Sequence, residues 1–182
     1  MTNIAFLVAA TDTIIEGNYL KFANEMLSRG AKTHIAIVDS LALSKSKIVI
    51  QGVQLTTPLV ANEPFPKELM TFSVEEFDIV WIMALGYRHT FLDKIQILYG
   101  LPDSCRIINS LDALMHFKSK YFLASHPSVF SHPETHAAAN PLKLLEIIQT
   151  GGKWIAKPPA GSFGRDVYLL TAADLNVTVI LD

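Results

Sequence analysis

Two hydrophobic patterns follow one another along the chain: short continuous apolar runs, and stretches with helical spacing. The run at residues 4–9 is typical of a strand buried on both faces. Apolar residues then recur every three or four positions from Tyr19 to Leu27, and Gly30 follows where a left-handed residue commonly ends a helix. A second apolar run at residues 34–38 completes a β-α-β unit. The chain is therefore predicted to begin as an α/β fold.

The middle of the chain continues this alternation. Residues 47–50 and 53–57 are predicted to form two short strands joined by a turn at Gln51-Gly52. Residues 79–85 form an apolar strand that ends at Gly86. A helix capped by Thr90 and Asp93 should follow, and Ile107 and Ile108 should form another strand.

The remainder differs in texture. Ser110 is predicted to cap a helix, which is followed by a linker-like segment rich in histidine, proline and alanine. We place a domain boundary here, giving domains 1–110 and 111–182. Asn140-Pro141 is typical of a helix start, and two strands at residues 154–156 and 167–170 then flank a turn-rich segment.

Composition excludes several classes of protein. A chain of 182 residues that is 50% hydrophobic and 18% charged is expected to fold. A net charge of -2 gives no excess of basic residues for binding nucleic acid. No apolar run approaches the roughly 20 residues of a membrane span, and the amino terminus lacks the basic residues of a secretory signal.

The single cysteine, Cys105, agrees with a reducing compartment, so we predict a cytoplasmic protein. We interpret Cys105 as a buried small apolar residue, with a nucleophile as the alternative.

The candidate chemistry lies between the last two strands. The first strand ends at Lys157, and the following segment contains Gly161 and Gly164. Such a loop can lie over phosphates, because glycine lets backbone N–H groups approach closely and lysine adds a compact positive charge. The alternative is a simple hairpin whose glycines serve only the turn. A Walker-type phosphate loop is excluded, because GxxxxGK[ST] is absent.

The histidines and the first β-α connection suggest no other site. His132 and His136 are four residues apart, but Pro133 between them argues against a helix presenting both to a metal. With His126 they are interpreted as loop residues, and no metal site is predicted. The connection after the first strand lacks GxGxxG, so a dinucleotide site is disfavoured and Asp39 is interpreted as a polar strand terminus.

These motifs together resemble the first half of an ATP-grasp ligase, in the glutathione synthetase-like and glutamate-adding branches. Matching features are Asn109-Ser110 before a helix that carries Lys118, the segment Pro133-Glu134-Thr135, and Ile155-Ala156-Lys157-Pro158 before the glycine loop. The resemblance implies that two lysines bind the nucleotide phosphates under a lid formed by the loop. The implied nucleotide-binding residues are Lys118, Lys157, Gly161, Ser162, Phe163 and Gly164.

Some positions depart from the family pattern. Glutathione synthetases tend to carry an arginine at the end of the strand that corresponds to residues 79–83, whereas here Arg88 lies further on. Arg88 is expected to bind substrate from this shifted position. Lys120 is close to Lys118, and the choice of Lys118 depends on its spacing to Pro133.

By this resemblance, residues 1–110 form a Rossmann-like parallel-sheet pre-ATP-grasp domain, and residues 111–182 form part of an α+β ATP-grasp lobe. The implied function is that of the amino-terminal portion of an ATP-dependent carboxylate–amine ligase acting through an acyl phosphate. Its partners would be ATP and small carboxylate and amine substrates, and Mg²⁺ ligands are expected beyond residue 182. The chain alone is therefore predicted to be inactive, with no catalytic residue assigned.

Two further expectations remain. The alternative function is a non-catalytic nucleotide- or ligand-binding module that lacks the magnesium-binding half. The high apolar fraction also favours a homo-oligomer, because apolar patches left uncovered promote association.

Overall fold

Two structural units make up the chain, Met1–Leu111 and Asp112–Asp182. A computed structural model describes residues 1–117, 120–126, 128, 133–158, 164 and 166–181, with the side chain of residue 123 excluded. Within these ranges, no helix has the length and apolarity needed to span a membrane.

The first unit begins with the predicted β-α-β arrangement. Strand β1 (Asn3–Val8) is followed by helix α1 (Asn18–Ser28) and strand β2 (Lys32–Ile37). The two strands pair in parallel over their whole length, from Asn3 opposite Lys32 to Val8 opposite Ile37. Each strand has five buried residues, so both of its faces are covered. Gly30 has φ +80° and ends α1 in the left-handed conformation, as predicted.

An antiparallel extension follows, formed by strands β3 (Ala42–Ser44), β4 (Lys47–Gln54) and β5 (Met70–Ser73). The predicted turn at Gln51-Gly52 is wrong, because both residues lie inside the single strand β4. Gly52 is needed there for close packing. A Cβ atom at this position would lie 2.3 Å from the backbone oxygen of Ile35 on the neighbouring strand β2.

The parallel part of the sheet is completed by strand β6 (Ile79–Ile82), helix α2 (Phe91–Leu98) and strand β7 (Arg106–Ile108). β6 pairs in parallel with β1 and β7, and the sheet order is β3-β4-β2-β1-β6-β7, with β5 paired to β4. The α/β class and its parallel core are thus confirmed. The predicted Thr90 cap is wrong, because its hydroxyl donates to the Tyr87 carbonyl and does not bond to the start of α2.

One hydrophobic core of this unit lies between the sheet and α1. Side chains from one face of β1 and β2 pack there against Ala23 of α1. Trp81 of β6 stacks between Phe6 and Phe22, with ring centroids 5.5 Å and 4.8 Å away. Burying each large apolar side chain contributes about 1.5–3 kcal/mol, so this layer stabilises the contact between α1 and the sheet.

The second unit has shorter elements. Its helical parts are a π-helical turn (Ala113–Phe117), α3 (Lys120–Ser125), α4 (Pro141–Gln149) and α5 (Val177–Leu181), and strands β8 (Trp154–Ala156) and β9 (Tyr168–Leu170) form an antiparallel pair. α4 begins as predicted, with the Asn140 side chain accepting a bond from the Leu142 amide at 3.0 Å. The small core consists of Ile148, Leu170 and Val177.

Candidate functional site

Lys157 lies directly after strand β8 in the second unit, and it is exposed. The residue before Lys157, Ala156, pairs with Tyr168 of the other strand in the hairpin. On one face, Trp154 and Leu170 pack into the core, while Ile155 and Leu169, paired on the opposite face, are 54% and 60% exposed. The hairpin is thus fixed on its buried face and presents Lys157 beside an open face.

The glycine loop joins these two strands, and only part of it is described. Gly164 is exposed with φ +70°, and a Cβ atom added there would meet no atom of the described residues within 4 Å. Asp166 is also in the left-handed region, at φ 55°. The predicted lid residues Gly161, Ser162 and Phe163 lie outside the described residues. The described part therefore provides a turn conformation that favours glycine, at the position that the sequence predicted.

The first predicted lysine, Lys118, also lies outside the described residues, whereas Lys120 is half-buried at the start of α3. The Lys120 ammonium donates to the backbone carbonyl of Pro158 at 2.9 Å. Since Pro158 follows Lys157, this bond ties the start of α3 to the end of β8. The two sequence segments singled out for their lysines therefore meet within the second unit.

In the first unit, Arg88 is exposed and begins a short 3₁₀ turn, Arg88–Thr90, that leads into α2. It lies in the connection after β6, beyond the carboxyl end of a strand flanked by two parallel neighbours. Ligands of open α/β sheets commonly bind outside the carboxyl ends of their strands. The geometry therefore puts Arg88 at the edge where such a ligand would sit.

A buried ion pair that the sequence did not predict lies beside this loop. The Lys94 ammonium lies 2.5 Å from Asp39 Oδ1, and the two side chains are only 6% and 12% exposed. Asp39 follows β2, so the earlier interpretation as a polar terminus described its place but not its partner. Helical spacing could have indicated that Lys94 is buried, because it precedes Leu98 by four residues and so lies on the same face of α2.

The Asp39–Lys94 pair bonds directly to the loop after β6. Lys94 also donates to the backbone oxygens of Leu85 at 2.6 Å and Tyr87 at 3.1 Å, so its three ammonium hydrogens have three acceptors. The Tyr87 amide donates to Asp39 Oδ1 at 2.8 Å. Gly86 between them has φ +59°, and a Cβ atom there would lie 2.1 Å from Asp39 Oδ2.

Cys105 has the properties of a structural residue. It is buried beside the start of β7, and its sulfur lies 3.9 Å from the Val74 carbonyl oxygen. Burial, with a smaller contribution from the charge of Asp78, raises the pKa of the Cys105 thiol. A raised pKa disfavours the thiolate, which is the nucleophilic form, so the structure supports the apolar interpretation.

The histidine-rich segment provides no metal cluster in the part of the chain that the structure describes. His126 Nδ1 lies 2.8 Å from the Phe122 carbonyl oxygen, and His136 pairs with Glu134 at 2.9 Å. His132 lies outside the described residues. The described histidines therefore have local partners.

With this geometry in place, the chain can be compared with known proteins, and no protein-family model matches it. Its sequence is 22% identical to the glutathione synthetase of Gloeobacter violaceus (strain ATCC 29082 / PCC 7421), over 98% of this chain and 58% of that protein. This similarity supports the resemblance drawn from the lysine and glycine motifs. The chain thus spans less than two thirds of this curated relative.

Among solved structures, the chain is similar to a RiPP-associated ATP-grasp ligase of Chryseobacterium gregarium, determined in complex with ADP and a leader and core peptide. The sequence identity is 12% and the TM-score is 0.42, and the match covers 100% of this chain and 60% of that one.

Proposed function

We propose that this chain is the amino-terminal portion of an ATP-dependent carboxylate–amine ligase. In this proposal the second unit binds the nucleotide phosphates, and the first unit is the pre-ATP-grasp domain that binds the carboxylate acceptor. Sequence similarity to a glutathione synthetase along nearly the whole chain supports the assignment to a ligase of this superfamily.

The observation that carries the nucleotide site is the junction of α3 with β8. The Lys120 bond to Pro158 holds the start of α3 against the residue that follows Lys157. We assign Lys118 and Lys157 to the phosphates, with Gly161, Ser162, Phe163 and Gly164 as a lid. The exposure of Lys157 and the left-handed Gly164 suit close approach of a phosphate chain to the loop.

For the acceptor, we assign Arg88. A guanidinium can bind a carboxylate through two parallel hydrogen bonds, which gives both affinity and orientation. Its place beyond the carboxyl end of β6 suits a ligand bound along that edge of the sheet.

The proposed chemistry has two transfers. An acceptor carboxylate oxygen forms a bond to the γ-phosphorus of ATP and ADP leaves, which gives an acyl phosphate. The nitrogen of the amine then bonds to the acyl carbon, phosphate leaves, and the nitrogen loses a proton to give the amide. Positive charge near the transferred phosphoryl group favours the first transfer, and Lys157 would supply part of it.

The described residues offer no cluster of side chains that would hold Mg²⁺ by themselves. The described parts of the chain hold no group of three His, Cys, Asp or Glu side chains suited to a metal ion. We therefore assign no step of the reaction to a metal held by these residues.

Calorimetric titration of the chain with ATP and Mg²⁺ tests the nucleotide site. Lys157→Ala should abolish detectable binding, while Lys153→Ala, which removes an exposed lysine just before β8, should leave the affinity unchanged. Equal losses in both variants, or no binding by the wild-type chain, would contradict the proposal.

The acceptor can be found by measuring ATP-dependent phosphate release by the full-length gene product against a panel of carboxylates and amino acids. An acceptor should raise the rate, and Arg88→Lys should raise the KM for that acceptor more than it lowers kcat.

Cytoplasmic location and self-association stay predictions, and sedimentation of the purified chain tests self-association.

A further inference from the structure

The Asp39–Lys94 pair joins charges that are 55 residues apart in sequence and almost removed from water. Such a pair is costly to bury, and replacing it by apolar side chains of similar volume is often neutral or stabilising. Contribution to stability is therefore a weak explanation for its presence. Buried polar groups can also define one backbone conformation, and the bonds of this pair point to that role.

Those bonds converge on three consecutive loop residues. Lys94 binds the carbonyl oxygens on either side of Gly86, and Asp39 accepts the amide of Tyr87. Because the Gly86 Cα lies against the Asp39 carboxylate, the backbone passes directly over the charged pair. The conformation of residues 85–87 is therefore defined by the pair and not only by neighbours in sequence.

Arg88 is the next residue in the chain, and a hydrogen bond made by Thr90 also supports the turn that contains it. The Thr90 hydroxyl donates to the Tyr87 carbonyl oxygen at 3.2 Å, which closes the turn that starts at Arg88. The geometry points to Asp39 and Lys94 as positioning residues that fix the backbone of residues 85–87 and thereby the place where Arg88 binds an acceptor carboxylate. This inference rests on the proposed acceptor role of Arg88.

Hydrogen exchange followed by NMR tests, with no ligand present, whether the Asp39–Lys94 pair fixes the backbone of residues 85–87; this link is called the tether below. Asp39→Ala should make the Tyr87 amide exchange at least about tenfold faster, with the amides of β1 and β2 still protected. Asp39→Asn retains an acceptor for this amide and should keep most of the protection. Asp93→Ala, which removes an exposed carboxylate next to Lys94 on α2, is the matched control and should change nothing.

Should Asp39→Ala fail to fold, Lys94→Met gives a second test, because it removes both carbonyl bonds and keeps a long side chain. Unchanged Tyr87 exchange in a folded Asp39→Ala variant, or unchanged amide shifts at residues 85–87 in a folded Lys94→Met variant, would show that the pair does not fix this backbone.

Titration with sodium L-glutamate, followed by backbone amide shifts, tests the link to Arg88. Asp39→Ala and Arg88→Lys should each weaken glutamate binding by about tenfold, and the double variant should lose no more than the larger single effect. Asp39→Asn should bind within about twofold of wild type. Additive losses, or unchanged binding by Asp39→Ala, would overturn the positioning role. No glutamate response from the wild-type chain would instead contradict the acceptor role of Arg88, while the exchange measurement still decides the tether.

Discussion

The ammonium of Lys120 donates to the backbone carbonyl of Pro158, so the start of helix α3 is bonded to the end of strand β8. A lysine used in this way has a structural task, because one of its donors is engaged with the protein backbone. This separates it from Lys118, which the resemblance assigns to the phosphates. The two neighbouring lysines are therefore expected to behave differently when replaced.

Lys118→Met should weaken ATP binding by about tenfold or more with little change in Tm, because it removes a charge from the phosphate site. Lys120→Met should lower the stability of the second unit by about 1 kcal/mol through the lost bond to Pro158. Calorimetry with ATP and thermal unfolding of both variants measure the two effects. Loss of ATP binding by Lys120→Met at unchanged Tm, with normal binding by Lys118→Met, would transfer the phosphate role to Lys120.

Gly52 leads to a second prediction. Its Cβ position lies 2.3 Å from the Ile35 backbone oxygen and 2.8 Å from the Ala36 Cα, so even alanine forces β2 and β4 apart. Gly52→Ala should lower the free energy of unfolding by about 3 kcal/mol. Gly30→Ala is the control, because Gly30 has open space and only its φ of +80° opposes a side chain, at a cost of about 1 kcal/mol. Urea unfolding of both variants measures the difference, and equal losses would contradict the close packing.

Gly52 also shows what a sequence can predict of this fold. The parallel strands β1 and β2 were predictable, because burial on both faces favours long apolar runs. A glycine within an apolar segment has two explanations, a turn or a close approach of a neighbouring strand, and nothing local separates them. The choice depends on β2 lying alongside, which is a property of the assembled sheet.

The candidate site divides in the same way. Lys157 was predictable, because its strand, its lysine and its loop are contiguous, and the structure has the strand end there. The Asp39–Lys94 pair was not, because its partners are 55 residues apart and each has an ordinary role when considered alone. Only the pairing of β1 with β2 and β6 brings the connections after β2 and β6 to one edge of the sheet.

His34 should make the first unit lose stability in mild acid. It is buried on β2, its Nδ1 lies 3.3 Å from the Ile4 carbonyl oxygen, and its ring contacts Phe72 and Phe77. Burial is the largest cause and lowers the pKa of His34; the hydrogen bond with the Ile4 backbone opposes it, and the charge of Lys32 lowers the pKa further. Above a pH of about 6.5 the histidine is neutral in both states. Below it, the unfolded chain takes up a proton that the folded chain resists, so stability falls as pH falls.

Urea unfolding between pH 7.5 and pH 5 measures this effect. His34→Phe should flatten the pH dependence, whereas His89→Gln, at an exposed histidine, should leave it unchanged. A pH profile of His34→Phe that matches the wild type would contradict the assignment.

Cys105 should be a slow thiol. Because burial raises the pKa of its thiol and shields the sulfur, its reaction with a thiol reagent at pH 8 should be at least about 100-fold slower in the folded chain than in denaturant. The double variant Cys105→Ser/Ser104→Cys moves the thiol to the exposed neighbouring position and should react rapidly while folded. Fast labelling of the native wild-type chain would contradict burial of Cys105.

The stability of the second unit should depend on Asn140. Its side-chain oxygen accepts the Leu142 amide at 3.0 Å, and Pro141 fills the first position of α4, where no amide is needed. Asn140→Ala should cost about 1 kcal/mol, because it leaves that amide without its cap, whereas Asn140→Asp keeps the acceptor and should cost little. Since Ile148 of the same helix packs against Leu170 of β9, loosening α4 should also speed amide exchange in the hairpin that ends at Lys157. Hydrogen exchange of β8 and β9 amides in both variants measures this coupling, and normal hairpin exchange in a destabilised Asn140→Ala variant would show that the helix and the hairpin open independently.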